Sequence, residues 1–367
     1  MANADDKNRA VSGRALWNEW AEECFANNKA PSVDFSSDMV QEPSFEGFVF
    51  PGPADFSGAE FVNKAMFTDA IFHGDVKIDR TIFREDANFN GVDFKKSANF
   101  DHARFHKFAN FNGAKCDEFS VSGAQITGEA NFEGVQFNRS AFAGVKFKHA
   151  LSRFTGAIFK HVPDFRAATF ETPPLFQRVK VDYARFRGPG VWRRWMSCAA
   201  GDDDAVKFRR LKQLASDWRD HERELEFFGK ELRAKRFYET KSPGAILLSW
   251  AYGGLSDFGQ SVMRPIVGLI SVTGLALVLI LVSHSAIWEV TREQFVAALT
   301  LSLTDWALLL GADKWDIRGL AFDKLYGPGC RFSLAANLAA YGQSAGSLFL
   351  LFLLGLGLRN RFRTGSS

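Results

Sequence analysis

The chain has 367 residues and a formal net charge of +3, with 45 Lys and Arg against 42 Asp and Glu. This balance gives no electrostatic reason to expect a nucleic-acid partner or an acidic substrate. The length exceeds that of one ordinary hydrophobic core and predicts two or three structural units. The 38 phenylalanines indicate that one structural position is filled repeatedly along the chain.

The N-terminal segment has no continuous apolar stretch of signal-peptide length. We expect residues 1–44 to form a helical cap that stays in the cytosol. The four cysteines, Cys24, Cys116, Cys198 and Cys330, are too far apart for a metal-ligand motif or a disulfide framework. No metal site is therefore expected.

Large apolar residues recur from residue 56 onwards, at spacings that alternate between five and six. The spacing is a constant five from Cys116 through Val121 to Ile126, and the recurrence then continues to Phe186. A small residue, most often alanine, lies two positions before most of them. The phenylalanines in this series that we expect in the core include Phe56, Phe61, Phe67, Phe72, Phe89, Phe94, Phe100, Phe105, Phe111, Phe132 and Phe137.

A five-residue step fits neither the helix period of 3.6 nor the strand period of two, so the chain must turn at every step. A square coil with one repeat on each face satisfies this requirement. Each large residue then points to the axis and stacks on its equivalent one coil away, at about the 4.8 Å spacing of strands.

The recurring runs resemble the pentapeptide-repeat family, whose pattern is A-(D/N)-(L/F)-x-x. The clearest are Ala87-Asn88-Phe89-Asn90-Gly91, Ala98-Asn99-Phe100 and Ala130-Asn131-Phe132-Glu133-Gly134. The resemblance covers roughly residues 45–188 and implies a β-solenoid of the right-handed quadrilateral β-helix type. Two steps occupy eleven residues rather than ten, and we expect the extra residue to bulge at alternate corners. Family members that protect DNA gyrase present an acidic rod, whereas acidic and basic residues are nearly equal in number here.

The periodicity changes after residue 188, and residues 189–264 are expected to form a helical linker and an interfacial segment. Carboxylates at 202–204 favour a helix start. One long helix should follow, with apolar a and d positions at Leu211, Leu214, Trp218, His221, Leu225, Phe228 and Leu232. This helix would either pack on the solenoid end, which we favour, or self-associate. Residues 242–264 have the composition of an amphipathic stretch at a membrane surface.

Two uncharged apolar stretches, residues 265–287 and 333–358, are long enough to cross a bilayer. They delimit a two-span membrane domain over residues 265–358. Basic residues precede the first span and form the tail 359–367, while residues 288–332 have no basic excess. We therefore expect a multi-pass protein with both termini cytosolic, in a bacterial inner membrane.

Residues 295–311 are apolar enough to re-enter the bilayer, which is tolerated only where the backbone lines protein or water. This segment supplies the candidate pore residues Thr300, Ser302, Thr304 and Asp305. The second span adds Asn337, Tyr341 and Ser344 along one helical face, begun by Ser333 and with Gln343 and Ser347 nearby. Gly342 and Gly346 form a G-x-x-x-G candidate for close helix contact.

Two spans around such a segment resemble the span-loop-span module of ion channels, and residues 350–363 look like the tail of pentapeptide-repeat proteins with a channel-like domain. The resemblance implies a pore, and because two spans cannot enclose one, it requires a homo-oligomer. The sequence lacks the T-V-G-Y-G filter of potassium channels. Copies of Asp305 from several subunits could form a ring that favours cations, or Asp305 could be a carboxylate exposed outside a pore. The sequence favours neither interpretation.

Two functions remain open. The first is an oligomeric ion channel or permeabilising effector whose cytosolic solenoid senses or binds something, and the second is a membrane-tethered scaffold that recruits protein partners. No enzyme activity and no cofactor are expected, because no nucleophile–base pair or phosphate loop is present. The expected partners are the lipid bilayer, other copies of the chain and a cytosolic protein or small-molecule activator, but not nucleic acid.

Overall fold

The computed structural model describes residues 3–40, 44–148, 151–182, 201–284, 291–306, 314–327 and 334–364. It describes their side chains except at residues 283, 284, 305, 306, 314, 315, 334–339, 363 and 364. The chain divides into two compact units, Met1–Trp218 and Arg219–Ser367.

Two helices cover the N-terminal end of the first unit: α1 is Ala4–Val11 and α2 is Arg14–Ala26. Trp17 on α2 is fully buried, and its ring centroid lies 5.4 Å from that of Phe48. The indole Nε1 donates a hydrogen bond to the carbonyl oxygen of Val49 at 2.9 Å. Strand pairing begins at Val33, so the solenoid starts within the range assigned to the cap from the sequence.

Short parallel strands then form a β-solenoid of about seven turns, as predicted. The strands of the first sheet are β1 Val33–Asp34, β3 Val49–Phe50, β4 Ala54–Asp55, β7 Ile71–Phe72, β8 Val76–Lys77, β11 Asp93–Asn99, β14 Lys115–Ser120, β17 Gln136–Ala141, β20 Ile158–Phe159 and β22 Lys180–Val181. Those of the second are β2 Met39–Val40, β5 Glu60–Phe61, β9 Ile82–Phe83, β12 Arg104–Phe105, β15 Gln125–Ile126, β18 Lys146–Phe147 and β21 Thr169–Phe170. Those of the third are β6 Ala65–Met66, β10 Ala87–Asn88, β13 Ala109–Asn110, β16 Ala130–Asn131 and β19 Ser152–Arg153.

The strand register explains the spacing in the sequence. Phe83 pairs with Phe105 and Phe105 pairs with Ile126, so these successive turns take 22 and 21 residues. Twenty-two residues are two of the predicted eleven-residue units, and the shorter turn contains the stretch with a constant spacing of five. The register between β11 and β14 shifts between Phe94 and Ser97, which is a bulge at a corner of the coil.

The core is a set of phenylalanine stacks along the axis. In one stack the rings follow at 4.9 to 5.0 Å, with interplanar angles of 6° to 9°. Its members are Phe45, Phe67, Phe89, Phe111, Phe132 and Phe154. The alanines two positions earlier are also buried, since Ala87 and Ala109 have no exposed surface. The predicted alternation of small and large inward residues is therefore confirmed.

The polar residue of the A-(D/N)-(L/F)-x-x pattern closes the corner of the coil. Asn88 Oδ1 accepts a hydrogen bond from the backbone N–H of Asn90 at 3.1 Å, and Asn99 Oδ1 accepts one from Asp101 at 2.8 Å. Gly91 follows at φ +68°, in the left-handed region that glycine adopts without strain.

One coil departs from the alternation. Phe119 pairs with Ala98 on one side and Ser140 on the other, so it occupies the position of the small residue. Phe119 is 3% exposed, and Val121 two residues later is fully buried in the position of the large residue. The small and large positions are therefore exchanged in this coil.

The helix α3, Asp204–Asp217, packs on the C-terminal end of the solenoid. Phe208, Leu211 and Leu214 are buried, and the Arg210 guanidinium donates to the carbonyl oxygen of Ala168 at 2.6 Å. The packing favoured from the sequence is therefore present for this helix.

The single long helix predicted from the heptad pattern is wrong. It is broken after α3, and α4 runs from His221 to Ala234 in the second unit. Arg219 has a φ of +60°, and the Asp220 carboxylate accepts a hydrogen bond from the backbone N–H of Arg223 at 3.0 Å. A left-handed residue followed by an N-cap ends one helix and starts another.

The second unit continues with helices α5 Pro243–Ser256, α6 Met263–His284, α7 Arg292–Trp306, α8 Lys314–Tyr326 and α9 Leu334–Thr364. The helices α6 and α9 are the two long apolar ones. The helices α7 and α8 lie between them in the sequence and pack on each other.

Candidate functional site

The helices α6 and α9 pack side by side and antiparallel. Three contacts fix their register: Asn360 Nδ2 donates to the carbonyl oxygen of Gly259 at 3.0 Å, Gly357 lies against Ser261, and Gly268 lies against Leu350. A Cβ added at Gly268 would lie 3.0 Å from Leu350 Cδ2, and one at Gly357 would lie 3.1 Å from the Ser261 carbonyl oxygen. These two glycines therefore allow the close approach of the helices.

Both helices are long and apolar enough to cross a membrane. The apolar stretches of these helices are Met263–Val282, with 20 residues and mean hydropathy 2.6, and Ala340–Phe362, with 23 residues and mean hydropathy 1.4. At 1.5 Å per residue each reaches the ~30 Å of a hydrocarbon core. Large apolar side chains point outward from α6, including Val267 at 57% and Ile270 at 67% exposure. The long helices therefore do not have the enclosed position of a soluble core helix.

The helix α7 packs against both long helices through a polar contact. Ser302 Oγ donates to the carbonyl oxygen of Thr273 on α6 at 3.1 Å. Gln343 Nε2 on α9 donates to the carbonyl oxygen of Ser302 at 2.8 Å and to its Oγ at 3.0 Å. Ser302 is fully buried and Gln343 is 6% exposed. We call Thr273, Ser302 and Gln343 the polar node.

The polar node lies halfway along the first long helix. Thr273 is ten residues after Met263, which is about 15 Å along the axis and half of the 20-residue apolar stretch. Further along α6, Leu281 packs with Ala297 and Ala298 of α7. The helix α7 therefore begins beside the C-terminal end of α6 and runs antiparallel to it as far as its middle.

The helix α8 packs along the other side of α7. Phe322 and Leu325 of α8 belong to the same buried cluster as Leu281 and Leu301. Between the two helices lies a cleft of about 520 Å³, whose lining includes Thr300 and Ile317. The hairpin of α7 and α8 thus buries one side against α6, while Val296, Ile317 and Leu320 stay largely exposed.

The predicted pore residues fall at different places in this arrangement. On α7, Ser302 and Thr304 are buried, and Thr304 Oγ1 donates to the carbonyl oxygen of Leu301 at 2.9 Å. Thr300 is half-buried and donates to the carbonyl oxygen of Val296 at 2.8 Å. Asp305 lies in the last turn of α7, and its side chain is outside the described set.

On α9 the predicted polar face is not the face that packs within the chain. Tyr341 is 69% exposed and Ser344 is half-buried, whereas Gln343 and Ser347 are buried. Asn337 lies in the first turns of α9, with its side chain outside the described set. Among the residues that the structure describes, no atom lies within 4 Å of a Cβ added at Gly342 or at Gly346, so neither glycine is needed there for a close helix contact.

Sequence reasoning missed three positions. Thr273 was passed over as an interruption of an apolar span, although its carbonyl oxygen rather than its hydroxyl makes the contact with Ser302. Asn360 was hidden between Arg359 and Arg361 in the basic tail, and it is 8% exposed. Gly357 was missed because no second glycine four residues away marked it. A neutral amide between two arginines is the signal that could have identified Asn360.

The fold and the site together define a pentapeptide-repeat β-solenoid followed by two helices able to cross a membrane. Residues 67–115 match the family model described as Pentapeptide repeats (9 copies). No curated protein and no solved structure matches the chain.

Proposed function

We propose that the chain is the subunit of an oligomeric membrane ion channel or permeabilising effector, with the solenoid as its cytosolic sensing or interaction domain. The observation that carries the proposal is the depth of α7. In a bilayer spanned by α6 and α9, the contact of Ser302 with Thr273 and Gln343 would bring the C-terminal half of α7 near the membrane midplane. A re-entrant segment would have this position.

The charge on α8 supports a pore rather than a simple anchor. Asp316 and Arg318 flank Ile317, which lines the same cleft as Thr300, two residues from the polar node. Ionisable side chains at this depth are costly in lipid and are tolerated where they face water or protein. An anchor of two spans needs neither a third helix that ends halfway nor charged residues beside it.

The register of the long helices supports a topology with both termini cytosolic. Gly259 and Asn360 are in contact, so in two spanning helices the start of α6 and the end of α9 would lie on the same side of the bilayer. Arg264, Arg359 and Arg361 lie on that side, and basic residues favour the cytosol. The solenoid and the C-terminal tail are then both cytosolic.

Oligomerisation is part of the proposal, because α6, α7 and α9 pack on one another and two spans of one chain cannot enclose an aqueous path. The outward-facing residues Tyr341, Gly342 and Leu348 on α9, and Leu320 on α8, are available for other copies. A closed ring of such subunits could place the end of α7 around a central axis.

The test is single-channel recording of the full chain in planar bilayers. The variants are Asp305→Asn and Ser344→Leu, with Asp182→Asn on the solenoid as the matched control. Discrete conductance that the two membrane-domain variants change and the control does not would support the proposal. Silent bilayers containing oligomers verified by mass photometry would overturn it and favour the tethered scaffold.

A further inference from the structure

The helix α5 exposes apolar side chains close to the start of the first long helix. Leu247 is 65% exposed and Leu248 is 62% exposed, whereas the preceding Ile246 on the same helix is only 9% exposed. Met263, the first residue of α6, is 67% exposed. The helix α6 begins seven residues after α5 ends, so both sets of exposed apolar side chains lie on consecutive helices.

Two arginine side chains donate hydrogen bonds to backbone carbonyl oxygens of α5, and a third lies near Tyr252. Arg236 donates to the carbonyl oxygen of Ser249 at 2.8 Å, and Arg264 donates to that of Gly253 at 3.1 Å. The pKa of Tyr252 is raised by burial, and the nearby positive charge of Arg359 opposes that rise. Arg264 and Arg359 are both exposed, as is Arg361 one residue beyond Asn360.

The surrounding surface carries a basic excess. We call residues 231–264 together with 357–361 the collar. It contains seven basic residues, Arg233, Lys235, Arg236, Lys241, Arg264, Arg359 and Arg361, and three acidic ones, Glu231, Glu239 and Asp257. Glu231 pairs with Lys235 at 2.7 Å, and Asp257 pairs with Arg233 and with Arg264. Glu231 and Asp257 are thus engaged inside the collar.

A rigid turn connects α5 to both long helices. Asp257, Phe258 and Gly259 have φ of +51°, +58° and +79°, and Phe258 is fully buried. The guanidinium of Arg233 lies 5.1 Å from the centroid of the Phe258 ring, a cation–π distance. Since Asn360 binds the Gly259 carbonyl oxygen, the same turn holds the end of α9.

We infer that α5 lies in the headgroup layer of an anionic leaflet, with Leu247 and Leu248 inserted between lipids and with Arg264, Arg359 and Arg361 contacting lipid phosphates. The inference rests on the membrane part of the proposed function and not on the pore. Anionic lipid would bind at the collar and, through the turn at Phe258 and the Asn360 contact, stabilise the packing of α6 against α9.

The collar favours a lipid surface over a protein partner for two reasons. Its exposed leucines lie on the helix that leads into α6, and Arg264, Arg359 and Arg361 lie near the ends of the two long helices, where the phosphates of a bilayer spanned by α6 and α9 would begin. Basic residues at an anionic surface add about 1 kcal/mol each, which corresponds to about a fivefold change in binding. Exposed leucines rimmed by basic residues at this level have the chemistry of an interfacial helix.

Insertion can be tested with a fluorophore on α5. Leu247→Cys and Leu248→Cys are labelled with the environment-sensitive dye NBD in a full chain carrying Cys198→Ser and Cys330→Ser, with Val11→Cys as the exposed apolar control. In vesicles of phosphatidylcholine with one quarter phosphatidylglycerol, we expect a blue shift at both α5 positions and none at Val11. An unshifted emission at α5 would overturn the inference, and so would a shift that depends on the protein-to-lipid ratio, because a second copy would then be the occupant.

Headgroup selectivity can be tested separately by native mass spectrometry of the full chain with phosphatidylglycerol and phosphatidylcholine. Arg264→Gln, Arg359→Gln and Arg361→Gln should each weaken retention of phosphatidylglycerol about fivefold relative to phosphatidylcholine. Lys115→Gln, Lys146→Gln and Lys180→Gln on the solenoid should leave it unchanged. Equal retention by all variants would overturn the arginine contacts, and inorganic phosphate that competes fully would identify a free anion as the ligand instead. Neither lipid measurement depends on conductance. If the protein binds phosphatidylglycerol selectively but shows no conductance, the channel proposal is rejected and the lipid inference stands.

Discussion

The side-chain amide of Gln343 donates to both the carbonyl oxygen and the Oγ of Ser302, at 2.8 Å and 3.0 Å. This pair links the last long helix to the middle of α7, and Ser302 passes the link on to Thr273 of α6. Three helices therefore meet through one polar contact. The position of α7 against the two long helices depends on this contact.

Replacing Gln343 by leucine should weaken the association of α7 with the long helices. Two hydrogen bonds are lost at a buried site, and such bonds between helices contribute about 0.6 to 1.7 kcal/mol in membranes. We expect the free energy of unfolding to fall by about 1 to 2 kcal/mol, measured by reversible SDS titration in mixed micelles. Tyr341→Leu, at an exposed position two residues away, is the control and should change it little. Equal stability of wild type and Gln343→Leu would show that the polar node does not hold α7.

Ser347 should behave in the opposite way. Its Oγ is buried and has no hydrogen-bond partner among the described residues, one turn beyond Gln343 on the same helix face. An unsatisfied buried hydroxyl costs about 1 to 3 kcal/mol. Ser347→Ala is therefore expected to leave the SDS unfolding midpoint unchanged or to raise it. A fall comparable to that of Gln343→Leu would reveal a partner for Ser347 in the assembled protein.

The membrane site was predictable in its composition but not in its geometry. Ser302 and Gln343 were recognisable because polar side chains are rare in apolar segments. The sequence did not show which face of α9 packs within the chain, because a periodic stripe through Tyr341 and Ser344 does not say which side meets a neighbouring helix. The packing of Gly268 and Gly357 decides that, and it depends on two helices that are far apart in sequence.

The exchange of Phe119 and Val121 predicts a compensation between two substitutions. Phe119→Ala should leave a cavity in place of the ring and lower the free energy of unfolding by about 3 to 5 kcal/mol. Adding Val121→Phe should recover part of this loss, since the coil would then carry the small-then-large order of Ala98 and Phe100.

The measurement for these variants is hydrogen–deuterium exchange of β14 and of the neighbouring β11 and β17 in the full chain. Phe108→Ala, at a half-buried phenylalanine outside the stacks, is the control and should affect exchange less. If the double variant exchanges as fast as Phe119→Ala or faster, the positions are not interchangeable in this coil.

The solenoid could be predicted almost completely, because a repeated step determines the turn length and the ring stacks without any long-range information. The inward position of Phe119 was not predicted, because the spacing alone assigned Val121 to the large position and spacing does not measure side-chain volume. The break between α3 and α4 was not predicted for a different reason. Heptad spacing runs through Trp218 and His221 although Asp220, followed by acidic residues in the next turn, is an N-cap signal.

The docking of α3 on the solenoid should depend on pH through Asp164. This carboxylate is 8% exposed, and Arg166 Nε donates to its two oxygens at 2.9 Å and 3.0 Å. Burial alone would raise the pKa of Asp164, but hydrogen bonds from the Arg166 side chain and backbone and the Arg166 charge outweigh burial and lower it. Arg166 also approaches Asp203 at 3.6 Å, beside the start of α3.

A lowered folded-state pKa means that Asp164 stabilises the fold fully above its unfolded pKa, at about 3.9. The stabilisation is lost as the pH falls from there through the folded-state value, because the protonated carboxyl no longer pairs with Arg166. We expect Asp164→Asn to speed amide exchange in α3 at pH 7, and the difference from wild type to shrink as the pH is lowered below 4. Glu46→Gln, at an exposed carboxylate, is the control and should show no such convergence. A constant difference between Asp164→Asn and wild type across this range would show that packing, rather than the charge of Asp164, holds this end of the solenoid.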